Sequence, residues 1–249
     1  MAHLNEIVTF CDEQTRRREF VDFPGAENGL QLENNGEVTK IGAAVDGGSI
    51  PLQQAAEKGI DFLICHHGLY WNPPIPLVGP AYQKVQSAMQ ANIAVYSSHL
   101  PLDAHPEIGN NALLARELQL NKASTFLNYE GTDIGLITEG LARAELKKRL
   151  QEAFPQTLIA LEFGPENPEK IAILTGSGAG AVDHLPDGVD TLVTGELKQH
   201  HFNQAQEMGL NLFLGGHYGT EVFGVKALAE KVAQAFQCEW EFLDTGCPL

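Results

Sequence analysis

The chain of 249 residues is short of three things, and each shortage excludes a class of protein. Cysteine occurs only at Cys11, Cys65, Cys238 and Cys247, with no Cys-x-x-Cys pair and no regular spacing. That excludes a disulfide framework or a thiolate zinc knuckle and fits reduced thiols in a cytoplasmic protein. Basic residues number 16 against 32 acidic ones, a formal net charge of −16. Nucleic-acid binding needs clustered Lys and Arg to neutralise phosphates, so no nucleic-acid partner is expected. Long apolar runs are missing too: none approaches the roughly 18 residues that span a bilayer, so no membrane association is expected. Met1-Ala-His-Leu-Asn-Glu-Ile lacks the basic and apolar stretches of a secretory signal. What remains is ordinary globular composition: 43% hydrophobic and 19% charged residues, enough apolar mass for a full core.

Short apolar runs rich in β-branched residues alternate with helical patterns, which predicts an α/β fold. Strands are expected at 40–45, 62–65, 93–97, 170–174, 191–194 and 211–214. Helices are expected at 52–58, 82–90, 111–119, 143–154, 199–208 and 220–236. In the last, Val222, Val225, Leu228, Ala229, Val232, Ala233 and Phe236 form one core-facing stripe. An internal echo organises these elements. Lys40-Ile41, then 59–67, then 91–99 ending in His99, are matched in order and spacing by Lys170-Ile171, then 188–196, then 209–217 ending in His217. Two related α/β lobes with mixed sheets are therefore expected, about 1–128 and 129–249. Their boundary is expected at 127–135, where Asn, Tyr, Glu and Gly interrupt the pattern.

Polar groups follow several buried strands directly, and in open α/β sheets that carboxyl edge is where ligands bind. Strand 62–65 runs into His66-His67-Gly68, and strand 93–97 runs into His99 and Asp103 in a Pro-bounded loop. Strand 211–214 runs into Gly215-Gly216-His217, with Glu221 four residues on, on one face if a helix starts there. Three imidazoles and two carboxylates at element ends form a mixed N/O ligand set suited to zinc, iron, manganese or nickel, and not to calcium. Two carboxylates among five ligands favour two divalent ions, since a carboxylate bridges ions roughly 3.5–4 Å apart. A metal site at strand ends between the lobes is the expectation. Glu196 and His99 are candidates for proton transfer, His201 for the lining of the same cavity, and Asp46 follows strand 40–45 with no assigned part. Gly176-Ser177-Gly178-Ala179-Gly180 offers backbone N–H groups in the manner of a phosphate-binding turn.

His66-His67-Gly68, the segment from Ser98-His99-Leu100-Pro101-Leu102-Asp103 through Ala104-His105-Pro106-Glu107-Ile108-Gly109-Asn110-Asn111, and Gly216-His217-Tyr218-Gly219-Thr220-Glu221 resemble the GTP cyclohydrolase 1 type 2 homologue family. Its members are also described as dinuclear-metal-centre hexameric proteins. The resemblance runs from about Val21 to the end and matches the short form, without an inserted middle domain. It implies metal ligands at His66, His67, Asp103, His217 and Glu221, a toroidal homo-hexamer with metal sites facing an internal cavity, and a small-molecule substrate, with GTP the nucleotide suggested by the family name. The expected function is a dinuclear-metal hydrolase. The alternative is a non-enzymatic metal-binding or metal-delivering protein, or a toroidal scaffold. The ligand set contains no soft thiolate of the kind a metal-exchange protein favours, which leans toward catalysis.

Overall fold

The structure is a computed structural model that describes residues 2–70 and 76–249. Its contacts divide the chain into two compact units, 2–102 with 224–246, and 103–223 with 247–249. The sequence pattern placed the division at 127–135 instead. That stretch proves to be the tight turn of a hairpin inside the second unit: strands Lys122–Tyr129 and Thr132–Glu139 pair antiparallel, with Tyr129 opposite Thr132. Glu130 and Gly131 both have positive φ, 47° and 92°, the backbone of the two-residue turn that matches strand twist.

The first unit is built on a five-stranded sheet in the order Glu239–Phe242, Lys40–Asp46, Phe62–His67, Ala94–Ser97, Gly29–Leu32. The first four strands are parallel and the last is antiparallel. The central strands read as continuous apolar runs because both sheet faces are covered. Ile41, Ala43, Ala44, Phe62, Leu63, Ile64, Cys65, Ala94, Val95 and Tyr96 are all fully buried. Helices Ser49–Glu57 and Pro80–Gln90 bury Leu52, Ala55 and Ala88 against Leu63, Ile93 and Val95. Helix Leu4–Gln14 turns Leu4, Ile7 and Cys11 inward. Burial in an apolar site raises the Cys11 and Cys65 thiols far above their ordinary range, so both are inert packing groups.

The second unit holds a six-stranded sheet in the order Lys122–Tyr129, Thr132–Glu139, Lys170–Leu174, Val189–Thr194, Asn211–Leu214, Ile159–Glu162. Its three middle strands, from Lys170–Leu174 to Asn211–Leu214, are parallel, and the flanking pairings are antiparallel. Ile171, Ile173, Val193 and Phe213 pack with Leu114, Leu146, Leu150 and Phe154 in one cluster. At roughly 1.5–3 kcal/mol per buried large side chain, such a cluster outweighs the modest helix propensity of its polar neighbours.

The echo seen in the sequence is a shared topology within each unit. Lys40–Asp46, Phe62–His67 and Ala94–Ser97 lie parallel with an antiparallel strand beyond the third, as do Lys170–Leu174, Val189–Thr194 and Asn211–Leu214. Register aligns the carboxyl ends. Cys65 lies opposite Ser97 and Asp46 opposite His67 in the first sheet. Leu174, Thr194 and Leu214 lie level in the second. Within each unit the strands therefore discharge their polar residues along one edge.

Candidate metal centre

Four histidines share a feature: Nδ1 lies against an oxygen that can only accept. His66 Nδ1 is 2.9 Å from Ser98 O, and His67 Nδ1 is 3.0 Å from Asp46 Oδ1. His99 Nδ1 is 2.8 Å from Asp22 Oδ1, and His217 Nδ1 is 3.0 Å from Glu196 Oε1. A carbonyl or carboxylate oxygen brings no proton, so Nδ1 donates in each case and the lone pair of the neutral ring falls on Nε2. An imidazole backed in this way is oriented and made more basic as a metal ligand. His105 and His201 are set the opposite way. Backbone N–H groups of Glu107 and Ile108 donate to His105 Nδ1, each at 3.1 Å, and Lys198 N–H donates to His201 Nδ1 at 3.1 Å. These two rings carry their proton on Nε2; His105 ties its own loop and His201 closes the first turn of helix Gln199–Met208. Burial pulls the pKa of His201 below its usual value.

In the first unit, His66, His67 and His99 converge. Their ring centroids lie 4.8, 4.9 and 5.5 Å apart, and one nitrogen from each lies within 4.8 Å of the others. Alternation along a strand would send His66 and His67 to opposite faces. They sit at the strand's last two positions, where Gly68 lets the chain turn. A Cβ at Gly68 would overlap the Gln31 amide, whose Oε1 accepts from Leu69 N–H at 2.6 Å. Close by, Gly47 N–H donates to His67 O at 2.6 Å. Close backbone approach, rather than a free loop, holds the paired histidines.

In the second unit, Asp103 ends a single helical turn, Leu100–Asp103, where a loop was expected. Asp103 Oδ1 accepts from Asn110 Nδ2 at 2.8 Å and from Thr175 Oγ1 at 3.2 Å. Asn111 Nδ2 donates to Asp103 O and to Ile134 O, at 3.0 and 2.9 Å, while its Oδ1 accepts from Thr175 N–H at 2.9 Å. Helix His217–Phe236 starts at His217 itself, so His217 and Glu221 share one face, with Nε2 and Oε2 3.2 Å apart. Oxygens of Asp103 and Glu221 come within 4.8 Å of each other. Both carboxylates are buried, at 7% and 3% exposure, an arrangement that favours a cation between them. His217 shows the same demand. Burial pulls its pKa down, but the carboxylates of Glu221 and Glu196 win and push it up to about 9. A proton then occupies the line between Nε2 and Glu221, where both atoms can otherwise ligate one ion.

Glycine makes the room for this pair. A Cβ at Gly176, which has φ +65°, would overlap Glu221 Oε1, and one at Gly195 would meet Gly176 O and the His217 Cα. The phosphate-turn reading of 176–180 does not hold: Gly176 N–H donates to Thr220 Oγ1 at 3.0 Å and Gly178 N–H to Thr194 Oγ1 at 3.1 Å, so both are spent within the fold. The residue types suit a divalent ion: neutral Nε2 donors and oriented carboxylates, the mixture that zinc, iron, manganese and nickel accept. Asp22, Asn28, Asn110, Asn111 and Thr175 were not singled out from the sequence. Asn110 and Asn111 stood in the motif beside Asp103, which is the one signal that pointed to them; Asp46 gains its part only here, behind His67.

Comparison with known proteins identifies the family. A family model described as Duf34/NIF3 (NGG1p interacting factor 3) matches residues 2–247. A "GTP cyclohydrolase 1 type 2 homolog" of Deinococcus radiodurans is 38% identical over 244 residues, covering 96% of this chain and 92% of that protein. One of the same description from Archaeoglobus fulgidus is 34% identical over 246 residues, covering 97% and 98%. The crystal structure of TTHA1606 from Thermus thermophilus superposes with a TM-score of 0.89 at 37% identity over the whole of both chains. Reduced HcgD from Methanocaldococcus jannaschii superposes with a TM-score of 0.85 at 27% identity over 98% of each. By its sequence and its fold, the chain belongs to the Duf34/NIF3 family.

Proposed function

We propose that the protein is a metal-dependent hydrolase that holds two divalent ions per chain through His66, His67, Asp103, His217 and Glu221, and acts on a small molecule, with a nucleotide such as GTP the first to try. The observation that carries this reading is the common setting of His66, His67 and His217, each with an acceptor-only oxygen behind Nδ1. Structural histidines have no need of that tautomer, as His105 and His201 illustrate. When bound, a pair of ions supplies Lewis acidity and a water acidified from pKa 15.7 toward roughly 7.

The chain's own residues do the rest. Asn110 and Thr175 hold one oxygen of Asp103, which fixes the plane of its carboxylate. Glu196, about half exposed, orients His217 and is open to solvent to take up a proton released during hydrolysis. The nucleotide substrate comes from the relatives' description as homologues of a GTP cyclohydrolase. A homo-hexamer and a cytoplasmic location belong to the same proposal.

The test is element analysis of protein purified without added metal, with turnover of GTP and a panel of nucleotides, phosphoesters and cyclic amides measured on the same sample. About two equivalents of metal, and hydrolysis lost in both His66→Ala and Asp103→Ala, are expected. Turnover that survives both substitutions overturns the hydrolytic reading. Labile metal that passes to an acceptor protein without turnover favours metal delivery. Light scattering on the same sample reads the oligomeric state.

A further inference from the structure

Four aromatic side chains stay exposed among the described residues: Phe23, Tyr70, Tyr82 and Phe202. Two of them stand on loops that are tied together beside the strand-end histidines. Gln31 makes the tie. Its Nε2 donates to Glu27 O at 2.6 Å, and its Oε1 accepts from Leu69 N–H at 2.6 Å. The loop of Phe23 is thereby joined to the loop of Tyr70, which follows directly on His66-His67-Gly68. The Phe23 ring lies against the His99 ring, centroids 5.7 Å apart. His99 in turn lies 4.9 and 5.5 Å from the rings of His66 and His67.

Phe23 is presented stiffly. Asp22 Oδ1 accepts from Phe23 N–H at 2.7 Å, and Ala26 N–H donates to Phe23 O at 2.9 Å. Pro24 and Gly25, with φ +94° at the glycine, fill the two middle positions of a type II turn. Val21 and Phe23 remain 58% and 37% exposed, while the Asp22 side chain between them is buried against His99. A ring held in place before a ligand arrives loses little freedom on binding. The same loops carry no cation: residues 20–36, 66–78 and 97–109 contain no Lys or Arg. Phosphates therefore find no ammonium or guanidinium in these loops, whereas a flat, uncharged ring finds a flat partner.

We propose that Phe23 is a stacking platform for a planar heteroaromatic ring, such as a nucleobase, held beside the strand-end histidines. The first unit then recognises the ring of its ligand and not the phosphates. The proposal rests on the small-molecule reading above and deepens it by naming the group that is bound. Every base has a π-face, so a platform of this kind selects for flatness and tolerates different rings. A nucleoside is accordingly a sufficient ligand, and a sugar phosphate without a base is not.

Guanosine is the probe, on the full chain as purified, with GTP and ribose 5-phosphate beside it in calorimetric titrations. Wild type is expected to bind guanosine and GTP, and not ribose 5-phosphate. Phe23→Leu keeps an apolar group over His99 and removes the π-face. It is expected to weaken guanosine binding about tenfold, with bound metal unchanged by element analysis. Phe23→Trp is expected to keep the affinity, and guanosine to quench the fluorescence that this variant adds to that of the two native tryptophans. Melting curves establish that both variants are folded; should Phe23→Leu unfold, quenching in Phe23→Trp decides. Guanosine bound equally well by wild type and Phe23→Leu overturns the proposal. So does a chain that binds GTP and not guanosine, or none of the three ligands. Wild type without metal overturns the metal-dependent reading above and leaves this test readable, since guanosine binding is measured without turnover.

Discussion

At Gly176 a single methyl group would decide whether Glu221 keeps its place. The backbone there is left-handed, which alone costs an alanine about 1 kcal/mol, and the new Cβ would overlap Glu221 Oε1. Gly176→Ala is therefore expected to lower bound metal by about one equivalent per chain, read by element analysis, with little change at His66 and His67. The five candidate ligands stand out in the sequence because they follow buried strands or stand at helical spacing from one another, as His217 and Glu221 do. Their supports were not. Asp22 reaches His99 across 77 residues and Asp46 reaches His67 across 21, and no local pattern ties such pairs together before the sheet aligns them. The tautomers were equally hidden, since they depend on what faces Nδ1 and not on the histidine itself.

Among the elements, helix His217–Phe236 carries two of the proposed ligands in its first turns, and Thr220 seats it. Fully buried, Thr220 donates through Oγ1 to Gly216 O at 2.9 Å and accepts from Gly176 N–H at 3.0 Å. Thr220→Val keeps the shape and leaves that N–H buried without its acceptor, so a loss of about 2 kcal/mol is expected in chemical denaturation. The parallel strands were legible as elements because they bury both faces: Lys170–Leu174 and Asn211–Leu214 fall where the pattern put them. Lys122–Tyr129 was missed since it is a sheet edge, mostly exposed, with no apolar alternation to read. Ile159–Glu162, the other edge of that sheet, escaped for the same reason. The N-terminal helix Leu4–Gln14 turns only Leu4, Ile7 and Cys11 fully inward, too thin a stripe to stand out.

For the whole molecule, the acidic balance of −16 means that bound divalent ions reduce self-repulsion as well as satisfying their ligands. Ligand binding to the folded state alone stabilises by about 2.7 kcal/mol at a hundredfold excess over Kd. Chelation is therefore expected to lower the melting temperature by roughly 5–10 °C in calorimetry, and His66→Ala to reproduce much of that fall and to respond little to chelator. The fold class was legible in the alternation of strands and helices, but the partition was not, because the chain leaves the first unit after Leu102 and returns to it at Gly224. That return has a consequence for synthesis. Strand Lys40–Asp46 is hydrogen-bonded on one side to Phe62–His67 and on the other to Glu239–Phe242, which is synthesised long after it. At roughly 5–20 residues per second, one edge of the nascent first sheet waits about 10–40 s for its neighbour. During that wait an apolar strand stands open to other chains. A chain stopped after Cys238 would make the wait permanent, and is expected to partition into the insoluble fraction where the full chain stays in solution.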